Sequence, residues 1–152
     1  MSKGDYVLGP CLAISTKNFW AVGGFDERLF LYREEETLAR KLSRIGVGYN
    51  LDPQVNISHA GGVSTSQAAE FSFCQSVRSE VLFYVLHFPR FGSTFLTLTL
   101  WIRLLIGYIF TPLLRNLGIR PQAQPASWYM RAMPEIIKGW RAKPVEPPHR
   151  IS

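Results

Sequence analysis

Apolar and polar positions fall into blocks along the chain, and the blocks predict helices separated by glycine and proline. The segment 6–15 is mostly apolar around Gly9-Pro10, which reads as a buried strand bent at Pro10, because proline cannot donate to a ladder. Ser15 and Thr16 are N-cap types for a short helix over 17–22, and Gly23-Gly24 stops it before the loop Phe25-Asp26-Glu27. Positions 34–45 predict a second helix. Leu38, Leu42 and Ile45 recur at helical spacing, Glu34, Glu35 and Glu36 suit the positive end of its dipole, and Arg40, Lys41 and Arg44 suit the negative end. Gly46 ends it. Short strands are expected at 47–51 and 55–58, joined by an Asp52-Pro53 turn, with His59-Ala60-Gly61-Gly62 closing the second in a loop.

The second half is simpler. A long helix is expected over 66–87, with Phe73, Val77, Val81 and Val85 on one face. The window 91–114 is the most apolar, with Arg103 as its one charge. On a helical projection Phe95, Leu98, Ile102, Leu105, Ile106, Ile109 and Leu113 share one face, while Ser93, Thr97, Arg103, Gly107 and Thr111 form the polar side. Beyond it the prolines at 121, 125, 144, 147 and 148 read as a loosely packed basic tail with a helical patch at 127–140. Four units result, 1–65, 66–90, 91–118 and 119–152.

Composition narrows the class. With 152 residues there is room for one domain with a core; 47% hydrophobic and 18% charged residues exclude both a disordered tail and a wholly apolar membrane bundle. Cys11 and Cys74 stand too far apart for a closely spaced zinc site and are expected to be small core residues. No apolar stretch follows Lys3, so no secretory signal pattern opens the sequence and the cytosol is the expected compartment. Seven bases balance seven acids over 1–65, whereas 66–152 holds ten bases against four acids and so carries the whole net charge of +6. A basic half attracts polyanions; no nucleic-acid motif is present, and the apolar window beside the bases points to an anionic membrane surface.

Three constellations offer chemistry. Glu34-Glu35-Glu36 supplies carboxylates that raise one another's pKa and serve as a general base or a ligand, although alone the triplet reads first as a solvated helix start. His59, at a strand end beside two glycines, is a metal ligand or a hydrogen-bonded structural residue. Gly23-Gly24-Phe25-Asp26-Glu27 alone is a helix stop and a loop.

Taken in order, Gly23-Gly24-Phe25-Asp26-Glu27, Phe30-Leu31-Tyr32, Glu34-Glu35, Gly46, Pro53 and His59-x-Gly61-Gly62-x-Ser64 resemble the C-terminal half of the catalytic domain of family 2 glycosyltransferases, rhamnosyltransferase-like members above all, over about residues 6–90. The resemblance implies an α/β fold: a partial GT-A (nucleotide-diphospho-sugar transferase-like) domain, helix-rich here, with a C-terminal amphipathic or membrane helix. It implies inverting transfer of a sugar from a nucleotide sugar to a saccharide or lipid-linked acceptor in surface polysaccharide synthesis. Glu35 would be the catalytic base and Glu34 would shape the acceptor site. Asp26 and Tyr32 would border the acceptor, with Asp26 alternatively holding its loop, and His59 would stand near the metal or diphosphate. The complete enzyme is expected to use Mg or Mn, and none is expected to bind tightly to this chain alone. Thr37 stands where the family often has an acid, and no Asp-x-Asp metal motif is present; the donor-binding half is expected to precede residue 6. The rival reading is a non-catalytic membrane-associated remnant or interaction protein derived from such an enzyme. The expected location is the cytoplasmic face of the plasma (inner) membrane, peripheral or anchored. A 24-residue helix at 91–114 is long enough to span a bilayer core, but Arg103 at its middle and the flanking Arg90, Arg115 and Arg120 favour a helix lying in the interface.

Overall fold

Five helices make up the regular structure of the computed structural model, which describes residues 11–50, 52, 54–58, 67–118 and 124–142. They are α1 (Thr16–Ala21), α2 (Glu34–Arg44), α3 (Ala69–His87), α4 (Arg90–Asn116) and α5 (Ala126–Trp140). Local chemistry sets their ends. Ser15 is extended and its hydroxyl accepts from the Asn18 N–H at 3.2 Å, capping α1 as its residue type predicts. Gly23 and Gly24, at φ 74° and 66°, then close the turn, their N–H groups donating to the Trp20 and Phe19 carbonyls. Between α3 and α4 the break is Phe88-Pro89. Phe88, preceding proline, is forced extended (φ −120°, ψ 150°), and Pro89 opens α4.

The short connection folds α4 back on α3, and α5 lies against both. Their shared core is Val77 and Val81 from α3, Leu100 and Leu104 from α4, and Ala132 and Ile136 from α5, with Phe73, Val85, Tyr129 and Met133 packed around it. The face expected for the long helix is thus the one buried. The expectation of a loosely packed tail fails over 126–140. Ala132 and Ile136 are core residues, and Gly139 brings the α5 backbone so close that a Cβ there would stand 2.6 Å from the Arg78 carbonyl oxygen.

Helix α4 also departs from expectation. Of the side expected to be wet, Ser93, Thr97, Gly107 and Thr111 face protein, while Arg103 stays exposed. With Leu100 and Leu104 those four form a seam at alternating spacings of four and three, the periodicity of a helix-packing stripe. The hydroxyls cost little there, because Ser93 Oγ donates to the Arg90 carbonyl at 3.0 Å and Thr97 Oγ1 to the Ser93 carbonyl at 2.7 Å. Gly107 receives the Tyr129 ring.

The segment 11–58 packs on α3 through a few contacts. Ser79 Oγ donates to the Leu31 carbonyl at 2.7 Å, His87 Nε2 meets Thr37 Oγ1 at 3.2 Å, and the Arg33 and Arg40 guanidinium groups stack on the Phe83 ring. The expected strands at 47–51 and 55–58 are not formed among the described residues; Leu51 lies outside them. A strand exists through pairing, and here Asp52 draws the neighbouring N–H groups into a turn while Val55 and Ile57 stay exposed. Cys11 is exposed rather than buried, whereas Cys74 packs against the core as expected.

Candidate functional site

The candidate site is built at the start of α2, and backbone conformation shapes it. Tyr32 and Arg33 both adopt left-handed φ, 68° and 70°, although neither is glycine. Such residues cost of order 1–3 kcal/mol each and persist where their surroundings hold them. Here the Leu31 carbonyl is tied to Ser79 on one side, and on the other the Arg33 carbonyl accepts the first helical bond, from the Thr37 N–H at 3.0 Å. The kink leaves the Tyr32 ring exposed and delivers three successive glutamates to the first turn of the helix.

Those glutamates have different surroundings. Glu36 is neutralised, with both oxygens accepting from Arg33 Nη1 at 2.8 and 2.7 Å. Arg33 is shared with Glu80 of α3 at 3.9 Å, and Glu80 in turn accepts from Arg103 of α4 at 3.2 Å and from the Tyr84 hydroxyl. Glu34 and Glu35 have no such partner: one oxygen of each, Oε2, is buried without a hydrogen bond. Burial pushes the Glu34 carboxyl above its ordinary value, and the adjacent Glu35 charge adds to the rise against a lowering backbone hydrogen bond. Glu35 faces a shallow apolar depression lined by Leu12, Leu38, Leu42, Val47 and Tyr49. An unpaired carboxylate at the edge of such a surface is free to accept a proton from a docked hydroxyl.

Asp26 is committed elsewhere. Its carboxylate accepts from Arg28 Nε at 2.8 Å and Nη2 at 2.6 Å and from the Arg28 N–H at 3.2 Å, and the arginine holds its pKa below the ordinary value. Of the two roles expected for Asp26, the geometry serves the holding of the loop. Lys41 reinforces the same turn by donating from Nζ to the Gly24 carbonyl at 3.2 Å. Gly24 itself lies over Phe19, where a Cβ would touch the ring at 3.0 Å.

Three residues at or beside the site escaped sequence reasoning. Arg33 distinguishes Glu36 from its neighbours, Glu80 anchors Arg33, and His87 meets Thr37, the residue that follows the three glutamates. Burial, assisted by Arg40 and Arg44, lowers the His87 pKa to about 4, so the ring is neutral at physiological pH. Only the proximity of Arg33 to the triplet was readable in the sequence; the other two reach the site from α3, across tertiary contacts. His59 lies outside the described residues. Among the described residues no three His, Cys, Asp or Glu side chains converge as a divalent ion requires.

Over 62 residues, 41% of its length, the chain is 34% identical to N-acetylglucosaminyl-diphospho-decaprenol L-rhamnosyltransferase of Mycobacterium tuberculosis, in the strains CDC 1551 and H37Rv alike. The match covers 20% of each of those proteins, so the chain spans about a fifth of the length of the curated relatives it matches. No family profile matches the chain, and no solved structure matches it. The chain has a glycosyltransferase-like relationship over that stretch.

Proposed function

We propose that the chain supplies the acceptor side of an inverting glycosyltransferase, which moves a sugar from a nucleotide sugar to a hydroxyl of a saccharide or lipid-linked acceptor. The observation that carries this reading is the pair Glu34-Glu35, each with a buried unpartnered oxygen, beside a third glutamate already neutralised by Arg33. The acceptor hydroxyl gives its proton to Glu35 as its oxygen attacks the sugar's anomeric carbon. The bond from that carbon to the diphosphate breaks, and the nucleoside diphosphate leaves with the electron pair, inverting the centre. Burial raises the Glu34 pKa, so this carboxyl takes up a proton more readily than an ordinary glutamate. Asp26 and Arg28 hold the preceding loop, and the exposed Tyr32 ring flanks the acceptor.

The relatives' name, which joins a rhamnosyl group to a decaprenol-diphosphate-linked sugar, supports a lipid-linked saccharide as acceptor class. To test this, the chain is fused in frame behind the donor-binding half of a glycosyltransferase of the matched kind, and labelled sugar transfer to lipid-linked saccharides is followed. The fusion is expected to transfer. A fusion that binds the nucleotide sugar yet glycosylates no saccharide or lipid-linked hydroxyl would overturn the proposal in favour of a non-catalytic remnant.

A further inference from the structure

Helix α4 is built inside out. Its seam to the protein is small and partly polar, with Ser93 and Thr97 before Leu100 and Leu104 and with Gly107 and Thr111 after them. Its opposite side carries Phe95, Leu98, Ile102, Leu105, Ile109 and Leu113, each about half exposed. It is the one helix among the described residues long and apolar enough to cross a membrane, and only 17% of its most apolar window is buried by the described residues, which cover its seam and leave its outer face open. Small and hydroxyl-bearing residues toward protein with bulky apolar residues outward is the pattern of a helix solvated by lipid. An exposed apolar face of this extent is otherwise an interaction surface.

We propose that α4 lies in the plane of an anionic bilayer, with its outer face in the acyl boundary and α3 and α5 on the aqueous side. Two observations select this occupant and this orientation. The first is charge. Residues 90–118 contain Arg90, Arg103 and Arg115 and no acid, the complement of anionic headgroups. The second is what packs on the seam. Val77 and Val81 of α3 and Ala132 and Ile136 of α5 hold the middle of α4. A spanning α4 would carry those helices into hydrocarbon together with Glu70, Glu80, Arg131 and Glu135, or lose its packing. Lying flat, α4 keeps both its seam and its apolar face satisfied. Arg103, largely exposed and reaching Glu80 from the flank, stays at headgroup level.

The surface is independent of glycosyl transfer, and its test requires no sugar. The full chain is floated on a sucrose gradient with phosphatidylcholine vesicles containing about a third phosphatidylglycerol, the composition that supplies the anionic surface. Pure phosphatidylcholine vesicles serve as the neutral arm. Flotation is expected with the anionic vesicles, at least tenfold less with neutral ones, and alkaline carbonate should strip the bound chain. The triple variant Leu98→Glu, Ile102→Glu, Ile109→Glu changes only outward side chains; it should keep the helical circular dichroism and lose flotation at least tenfold. Resistance to carbonate would overturn the in-plane orientation. Failure to float with either lipid, equal flotation of the triple variant, or a dimer that the triple variant converts to a monomer would overturn the bilayer as occupant.

Discussion

Helices α3–α5 bury six aliphatic side chains in one cluster, whereas residues 11–50, which carry the candidate glutamates, bury only Leu29 and Leu38 among their hydrophobic side chains. The helical trio is specified by repetition. Each helix offers a stripe at the spacing its geometry requires, and close approach at Gly139 and Gly107 brings the stripes together. The glutamate-bearing segment is specified by single polar interactions: the Asp26–Arg28 fork, the Arg33–Glu36 pair, the Ser79 bond to Leu31 and two left-handed residues in succession. A region held this way keeps carboxylates unpaired at little cost to the core, as a site for proton transfer requires.

The contrast is broken most directly inside α4. Leu104 and Leu105 are adjacent in sequence, yet Leu104 is buried in the seam and Leu105 is about half exposed outside it. Leu104→Ala should lower the unfolding free energy by about 2–5 kcal/mol, and Leu105→Ala by less than about 0.5 kcal/mol. Denaturant titration of the two proteins measures both, and equal losses would erase the distinction between seam and outer face. The next effect is at Gly139, where the added methyl of Gly139→Ala meets the Arg78 carbonyl oxygen and Val81. It should cost about 1–3 kcal/mol, as overpacking does, read in the same titration.

The glutamate-bearing segment should answer differently. Tyr32→Gly relieves a left-handed φ of 68° and should leave stability unchanged or raise it by up to about 1 kcal/mol, while weakening acceptor use. A loss of stability in thermal melts would mean that the Tyr32 ring, not its backbone, holds the turn. His87 gives the smallest effect, and it depends on pH. Its folded pKa of about 4 lies below its ordinary 6.5, so the unfolded chain takes up the proton first on acidification. Stability from this group is complete above pH 6.5 and declines from there toward pH 4. His87→Gln should flatten that part of the stability–pH curve, and an unchanged curve would remove His87 as its source.

How much of this was legible in the sequence follows the same division. The α1 cap at Ser15, the Gly23-Gly24 stop, the acidic start of α2 and the Val77/Val81 face were readable because each depends on neighbours within a turn or two. The projection of α4 separated its two faces, apart from Arg103, which it grouped with the seam residues and which is exposed; it did not show which face is covered, since that depends on helices 20–40 residues away. A wet polar side is the rule in water; here short hydroxyls bonded to their own backbone make the better packing surface. Val55 and Ile57 carry a strand pattern without a strand, because pairing is supplied from outside the segment. In the candidate site the residue types were visible, but the division of labour among Glu34, Glu35 and Glu36 was not. It depends on where the Arg33 side chain goes, and a backbone twist that the sequence does not advertise sets that direction.

That division of labour is the point on which the functional account rests. In the fusion with a donor-binding half, transfer at saturating donor and acceptor is measured for Glu35→Gln and Glu36→Gln side by side. The account predicts that Glu35→Gln lowers turnover by about 10²–10⁴ without changing donor affinity, while Glu36→Gln, which keeps a hydrogen bond to Arg33, falls by less than about 10². Near-normal turnover in Glu35→Gln, or equal losses in the two variants, would contradict it.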